Sequence, residues 1–235
     1  MYSLEEKLNF YNQFSDFEKP VVRAFAVAGS FNNASDIKAT LKDSAKYSSS
    51  QISKIMVSSL NAGVIELNVD SYSRYYEKYK VSIPFMTYVY SNLNQHEKSE
   101  AKKTERSYRP LFLTNEIEIR EVKDFLLALL YENKISEKIK DKLLENIWVI
   151  KQMNLINYPV YINSFNKLDS DVINLIYSSK ISDTVFDLYP LKNLEGLRSQ
   201  LELLLSPEKA QLLPDLMPNI KLFEGDFDFA FNFIN

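Results

Sequence analysis

The sequence predicts an α+β protein: a front unit of three helices and a β-hairpin, then a helix-rich α/β unit that ends in a second hairpin. Three observations lead there. An amphipathic helix capped at Ser48 and stopping near "NAGVI" runs directly into two stretches of period-two alternation. A polar, charged stretch, residues 92–110, interrupts the apolar patterning. Behind it, long amphipathic helices return and then alternate with short β-like runs.

The bulk composition is that of a globular chain. Of its 235 residues, 46% are hydrophobic and 25% charged. No apolar run approaches the ~18 residues a membrane helix needs. The start, "MYSLEEKLNFYNQF", lacks a basic region followed by an apolar core, so no secretory signal is expected and the cytoplasm is the expected location. With no cysteine and one histidine, thiolate and two-histidine zinc sites are excluded. The four glycines stand too far apart to cradle a phosphate, so no nucleotide or other cofactor is expected. Charge is uneven: residues 1–110 hold 15 Lys+Arg against 12 Asp+Glu, and residues 111–235 hold 13 against 19. A mildly basic front and an acidic rear suggest two units with different surfaces, 1–93 and 111–235, joined by a linker at 94–110.

In the front unit, Ser15 or Asp16 can cap a helix over about 17–29, with Pro20 near its first turn and Gly29 at its end. "NNASDIKATLKDSAK" predicts a short helix that turns Ile37 and Leu41 inward. The third helix has the clearest start. Ser48 and Gln51 form a Ser-x-x-Gln capping box, and Tyr47 and Ile52 stand where a hydrophobic staple forms. Ile52, Ile55, Met56 and Leu60 make its buried stripe, and Gly63 can stop it. Two strands follow. Ile65, Leu67 and Val69 face inward from the first, and Tyr75, Tyr79, Val81 and Ile83 from the second. The opposite face of the second strand gathers Arg74, Tyr76, Lys78 and Lys80. After Pro84 a helix with Phe85, Tyr88 and Val89 closes the unit.

Three helices followed by a hairpin resemble the winged-helix superfamily over residues 17–93, under half the chain. More narrowly, "LNAGVIEL" and "YEKYKVSIPFMTYVYSNL" are similar to the winged helix behind the ATPase core of archaeal-type STAND ATPases. That core is missing from this sequence, so either a longer protein carries it or the module stands alone. The resemblance implies two partner classes. One is duplex DNA, read by the third helix and touched by the wing. The other is a protein, an ATPase domain or a second copy of the chain.

In the rear unit, "NEIEIREVKDFLLALLYEN" predicts a helix with Ile119, Val122, Leu126, Leu129 and Leu130 on one face. A second helix, capped by Ser136, is lined by Ile139, Leu143, Ile147 and Ile150. Trp148 reads as core. "PVYINSF" and "DTVFDLY" are β-like, and "DSDVINLIYSS" and "NLEGLRSQLELLL" are helical. The tail predicts a hairpin turning at Gly225-Asp226, with Phe227, Phe229, Phe231 and Phe233 on one face. Those phenylalanines read as core, with a dimer contact or a surface for a neighbouring domain as the alternative.

The functional candidates follow from chemistry. Ser49, Ser50, Ser53 and Lys54 carry hydroxyls and an ammonium suited to a DNA groove; Gln51 is occupied by the capping box. Lys42 and Lys46 beside the helix entrance, with Arg74, Lys78 and Lys80 on the wing, can each neutralise a phosphate. Set against this, surface lysines are usually plain solvated charges, and no arginine stands on the reading helix. His96, in the polar stretch, reads as solvent-exposed. Asp226 and Asp228 beside Glu224 read as a solvent face before a magnesium site. The sequence therefore predicts a non-enzymatic, transcription-regulator-like DNA-binding protein with a dimerising or regulatory rear unit. The alternative is a protein-interaction portion of a STAND-like ATPase, and a rear-unit nuclease ranks last.

Overall fold

The structure is a computed structural model that describes residues 2–68, 78–107, 119–131, 134–155, 158, 160–161, 164, 168–169, 171–173, 175–176 and 226–228. The described residues are mostly helical, with one small antiparallel sheet among them, an α+β arrangement. The chain divides into two compact units, Met1–Asn133 and Lys134–Asn235. The first therefore takes in the segment read as a linker and the first helix read as part of the rear unit.

The first unit opens with α1 (Leu4–Gln13). Ser3 and Glu6 close a capping box, with the Ser3 N–H donating to Glu6 Oε2 at 2.7 Å and the Glu6 N–H to Ser3 Oγ at 3.2 Å. α2 (Lys19–Ala28) follows and is almost wholly inside: Val21, Val22, Phe25 and Ala26 are fully buried. It ends at Gly29, whose φ of +80° suits glycine, and whose N–H donates to the Phe25 carbonyl at 2.9 Å. A side chain there would also meet Ile119, since a Cβ would lie 2.3 Å from its Cγ2.

Immediately after the glycine comes β1 (Ser30–Phe31). α3 (Ala34–Thr40) is capped by Asn33, whose Oδ1 accepts from the N–H groups of Ser35 and Asp36. The expected helix over 32–46 is shorter than its apolar spacing suggested. It stops at Thr40, and a separate 3-10 turn covers Ser44–Lys46.

α4 (Ser49–Asn61) starts at the predicted cap: the Ser48 N–H donates to Gln51 Oε1 at 2.8 Å and the Gln51 N–H to Ser48 Oγ at 3.2 Å. Tyr47 and Ile52, the staple pair, are both buried, as are Ile55 and Met56.

β2 (Ile65–Leu67) and β3 (Tyr79–Val81) complete a sheet in the order β1-β3-β2. The ladder pairs Ser30 with Lys80 and Phe31 with Tyr79 on one side, and Ile65, Glu66 and Leu67 with Val81, Lys80 and Tyr79 on the other. The inward set is corrected at one position: Ile65 and Val81 are buried, but Leu67 is 51% exposed, because the core ends before it. Val69, Arg74, Tyr75 and Tyr76 lie outside the described residues.

Phe25, Phe31 and Tyr79 stack in a row, with centroids 5.1 and 5.5 Å apart, from α2 across β1 to the central strand β3. Each fully buried aromatic contributes on the order of 1.5–3 kcal/mol by leaving water. α5 (Ile83–Ser91) then adds Phe85, Met86 and Tyr90, and the Tyr90 hydroxyl donates to the Val27 carbonyl at 3.2 Å.

Within the stretch read as a linker or exposed loop, parts of which could continue a helix, residues 95–107 are helical as α6 (Gln95–Ser107). Asn94 and Glu97 cap it reciprocally, both bonds at 2.9 Å, and Ala101 is buried. Its composition of Glu, Lys and Ala favours helix even without an apolar stripe. α7 (Ile119–Tyr131) packs against α5 through a face including Val122, Phe125, Leu126 and Leu129, all buried.

In the second unit, the single expected helix is two. α8 (Glu137–Glu145), capped by Ser136, and α9 (Ile147–Met153) are divided at Asn146, whose φ of −131° and ψ of 68° leave the helical region. The break resets the helical phase. Val149, Ile150 and Met153 are buried, whereas Ile147 is exposed and Trp148 is 66% exposed, correcting both from core to surface. Val160, Tyr161 and Ser164 are helical where a β-like run was expected. Burial raises the Tyr161 phenol well above its ordinary value.

Of the terminal hairpin, residues 226–228 are described. Phe227 and Asp228 are helical rather than extended, and Phe227 is exposed. The other tail phenylalanines, "DTVFDLY" and "NLEGLRSQLELLL" lie outside the described residues.

Candidate nucleic-acid interface

The serine-rich start of α4 is open to solvent. Ser49, Ser50, Ser53 and Lys54 are all exposed, while Ile52 and Ile55 hold the opposite side in the core. The helix periodicity that buries one stripe turns these hydroxyls and one ammonium outward together. Gln51 is spent on the cap, as its spacing predicts.

The sheet face opposite the core is less simple than three aligned cations. Arg74 and Tyr76 lie outside the described residues. Lys80 is half-buried and stands across β3 from both Ser30 and Glu66. The Glu66 carboxylate is taken by α1: Lys7 Nζ lies 2.7 Å from Glu66 Oε1, with the Lys7 side chain only 5% exposed. Lys78 is exposed. Its backbone N–H donates to Asn32 Oδ1 at 3.1 Å, and its ammonium lies 5.3 Å from the centre of the Tyr79 ring.

Lys42 and Lys46 border a cleft of about 460 Å³ among α2, the turn after α3, and α6. Phe17, Pro20, Ala24 and Val27 contribute apolar wall to it. Lys46 pairs with Asp43, and that hydrogen bond lowers the Asp43 carboxyl below its usual range and raises the lysine. Lys42 Nζ lies 2.7 Å from His96 Nε2 and 3.5 Å from Glu100 Oε1. Nearby, Arg23 and Glu97 pair at 2.9 Å.

The front unit thus brings Lys42 and Lys46 together at the cleft, and leaves Ser49, Ser50, Ser53 and Lys54 on the α4 surface. Sequence reading missed three participants: Lys7, His96 as a partner of Lys42, and Glu100. The Ser3-x-x-Glu6 box announces the helix that carries Lys7, but its pairing with Glu66 spans 59 positions and has no local signal. Among the described residues, no three histidine, aspartate or glutamate side chains gather as a metal site, and no helix is long and apolar enough to cross a membrane. Compared with protein-family models, curated proteins and solved structures, the chain matches none.

Proposed function

We propose that residues 17–93 form a winged helix and that the protein is a non-enzymatic, cytoplasmic DNA-binding regulator. α4 is its reading helix. Ser49, Ser50, Ser53 and Lys54 meet the groove; Arg74, Lys78 and Lys80, with Lys42 and Lys46, meet phosphate; and Tyr76 flanks them on the wing. The acidic residues 111–235 serve dimerisation or regulation. The observation that carries the reading is the chain order α2-β1-α3-α4-β2-β3 with β3 between β1 and β2, together with the solvent-exposed hydroxyls at the start of α4. That order packs a helix pair against a small sheet and leaves the first turns of α4 open.

The test is the salt dependence of binding. Neutralising about four phosphates gives a log–log slope near −3.6, a loss of roughly a hundredfold between about 50 and 200 mM salt. Fluorescence anisotropy of the full chain with a labelled duplex measures it. No affinity at low salt, or a flat response, counts against DNA binding.

A second reading has its own support: a protein-interaction module, as at the back of a STAND-like ATPase. Val57 on α4 and Leu67 on β2 are 58% and 51% exposed, apolar surface that DNA does not need. The cations Lys42 and Lys46 are moreover already paired within the chain. Charge reversal at Lys78 and Lys80 separates the two, because it abolishes phosphate contact and leaves an apolar contact intact.

A further inference from the structure

We propose that His96 is a proton-operated release for Lys42, so that the DNA interface gains a free cation on mild acidification. The inference rests on the DNA-binding reading and adds its regulation.

Lys42 Nζ lies 2.7 Å from His96 Nε2, and an ammonium only donates, so this contact is a hydrogen bond when Nε2 offers its lone pair, in the tautomer that carries the proton on Nδ1. Nδ1 is the atom that faces Glu100 Oε1, at 3.7 Å. Lys42, His96 and Glu100 form a closed triangle, since Lys42 also reaches Glu100 at 3.5 Å. A proton taken from solvent at Nε2 removes the acceptor and sets two cations against each other. The imidazolium keeps Glu100, its neighbour one turn along α6 and now its ion-pair partner. Lys42, 54% exposed, then turns to solvent or to a phosphate.

The surrounding charges do not absorb this change. The hydrogen bond from Lys46, and then the Lys46 charge, hold the Asp43 carboxyl on the turn after α3 below its usual range. Across the cleft Arg23 is held by Glu97. Asp16 and Lys103 line the same cleft. The chain holds a single histidine, so the His96→Gln chain separates the imidazole from the α-amino group, which also changes charge in this range. Imidazole is the side chain whose charge ordinarily changes between about pH 5 and 8.

The experiment measures duplex affinity of the full chain at about pH 8 and about pH 6, at one low salt concentration. Wild type should bind about two- to fivefold tighter at the lower pH, a size set by solvent-exposed contacts. His96→Gln, whose amide oxygen still accepts from Lys42, should match wild type at the higher pH and stay flat. Glu100→Gln should bind tighter at both. A flat wild type, or a His96→Gln chain that keeps the rise, overturns the proposal.

A second measurement works without DNA. In NMR, the Lys42 side-chain signals should move with the His96 ring titration. If no duplex binds at any pH, the DNA reading fails, and a coupled titration still supports the release. A ring that titrates without moving Lys42 overturns it.

Discussion

Lys80 stands directly across the β2–β3 ladder from Glu66, yet the Glu66 carboxylate is held 2.7 Å from Lys7. Helix α1 thereby takes up the carboxylate that faces Lys80 in the ladder. Glu66 is thus paired with a lysine that is itself buried.

The first prediction concerns this pair. Lys7→Met strips a half-buried carboxylate of its partner and should cost about 1 kcal/mol, read as a lower urea midpoint at unchanged slope. Lys7→Met with Glu66→Met should recover much of that loss, because no charge is left unpaired. A cycle with no coupling between the two positions counts against the bridge.

The second concerns Gly29. Its φ of +80° and the 2.3 Å approach of Ile119 to an added Cβ both resist a side chain. Gly29→Ala should destabilise by about 1–3 kcal/mol. Combining it with Ile119→Ala should relieve the steric part only, so a residual loss beyond Ile119→Ala alone measures the backbone strain. Calorimetry or urea unfolding reads both.

The third separates the two roles at the start of α4. Ser48→Ala removes the cap and should cost about 1 kcal/mol of stability. Lys54→Ala, exposed and away from the core, should leave stability within about 0.5 kcal/mol. On the DNA reading it reduces the salt slope by about one. Loss of stability without loss of slope in Lys54→Ala contradicts that division.

The fourth concerns acid. Hydrogen bonds from the Ser3 backbone hold the Glu6 carboxyl below its ordinary value, and the Ser15 hydroxyl does the same for Glu18. Both are lower in the folded chain than in the unfolded one. Their stabilisation is therefore fully present above the unfolded value of about 4.3 and fades as pH falls through the folded values. Urea midpoints between neutral pH and about pH 3 should drop, and Glu6→Gln with Glu18→Gln should flatten part of that slope. Equal slopes in the variant and wild type contradict the assignment.

What the sequence disclosed follows from how far each signal reaches. The Ser48–Gln51 box, the Tyr47–Ile52 staple and the stop at Gly63 lie within one helix, and the structure has all of them. β1 is two residues long and is defined only by its pairing with Tyr79 and Lys80, some fifty positions away, so no periodicity marks it. α6 has a polar composition but reciprocal caps at Asn94 and Glu97, and the caps with the buried Ala101 decide its state. Trp148 was misjudged because apolar spacing was carried through Asn146 as if the helix were continuous. For the candidate interface, the exposed serines were legible from helical phase. The pairings of Lys42, Lys46 and Glu66 were not all legible: Lys46 meets its neighbour Asp43, but Lys42 and Glu66 answer to residues 54 and 59 positions distant.

The central place of β3 has a kinetic consequence. Its partners are a strand before α3 and a strand after α4, and the Val81 amide bonds to the carbonyl of Gly29 at 2.9 Å. Asn32 and Lys78, 46 residues apart, are tied beside it. The large loop must close before that ladder returns any energy, whereas α4 can nucleate from its own box. Refolding should therefore proceed helix first and sheet last, and the Val81 amide should exchange its hydrogen only when the whole first unit opens.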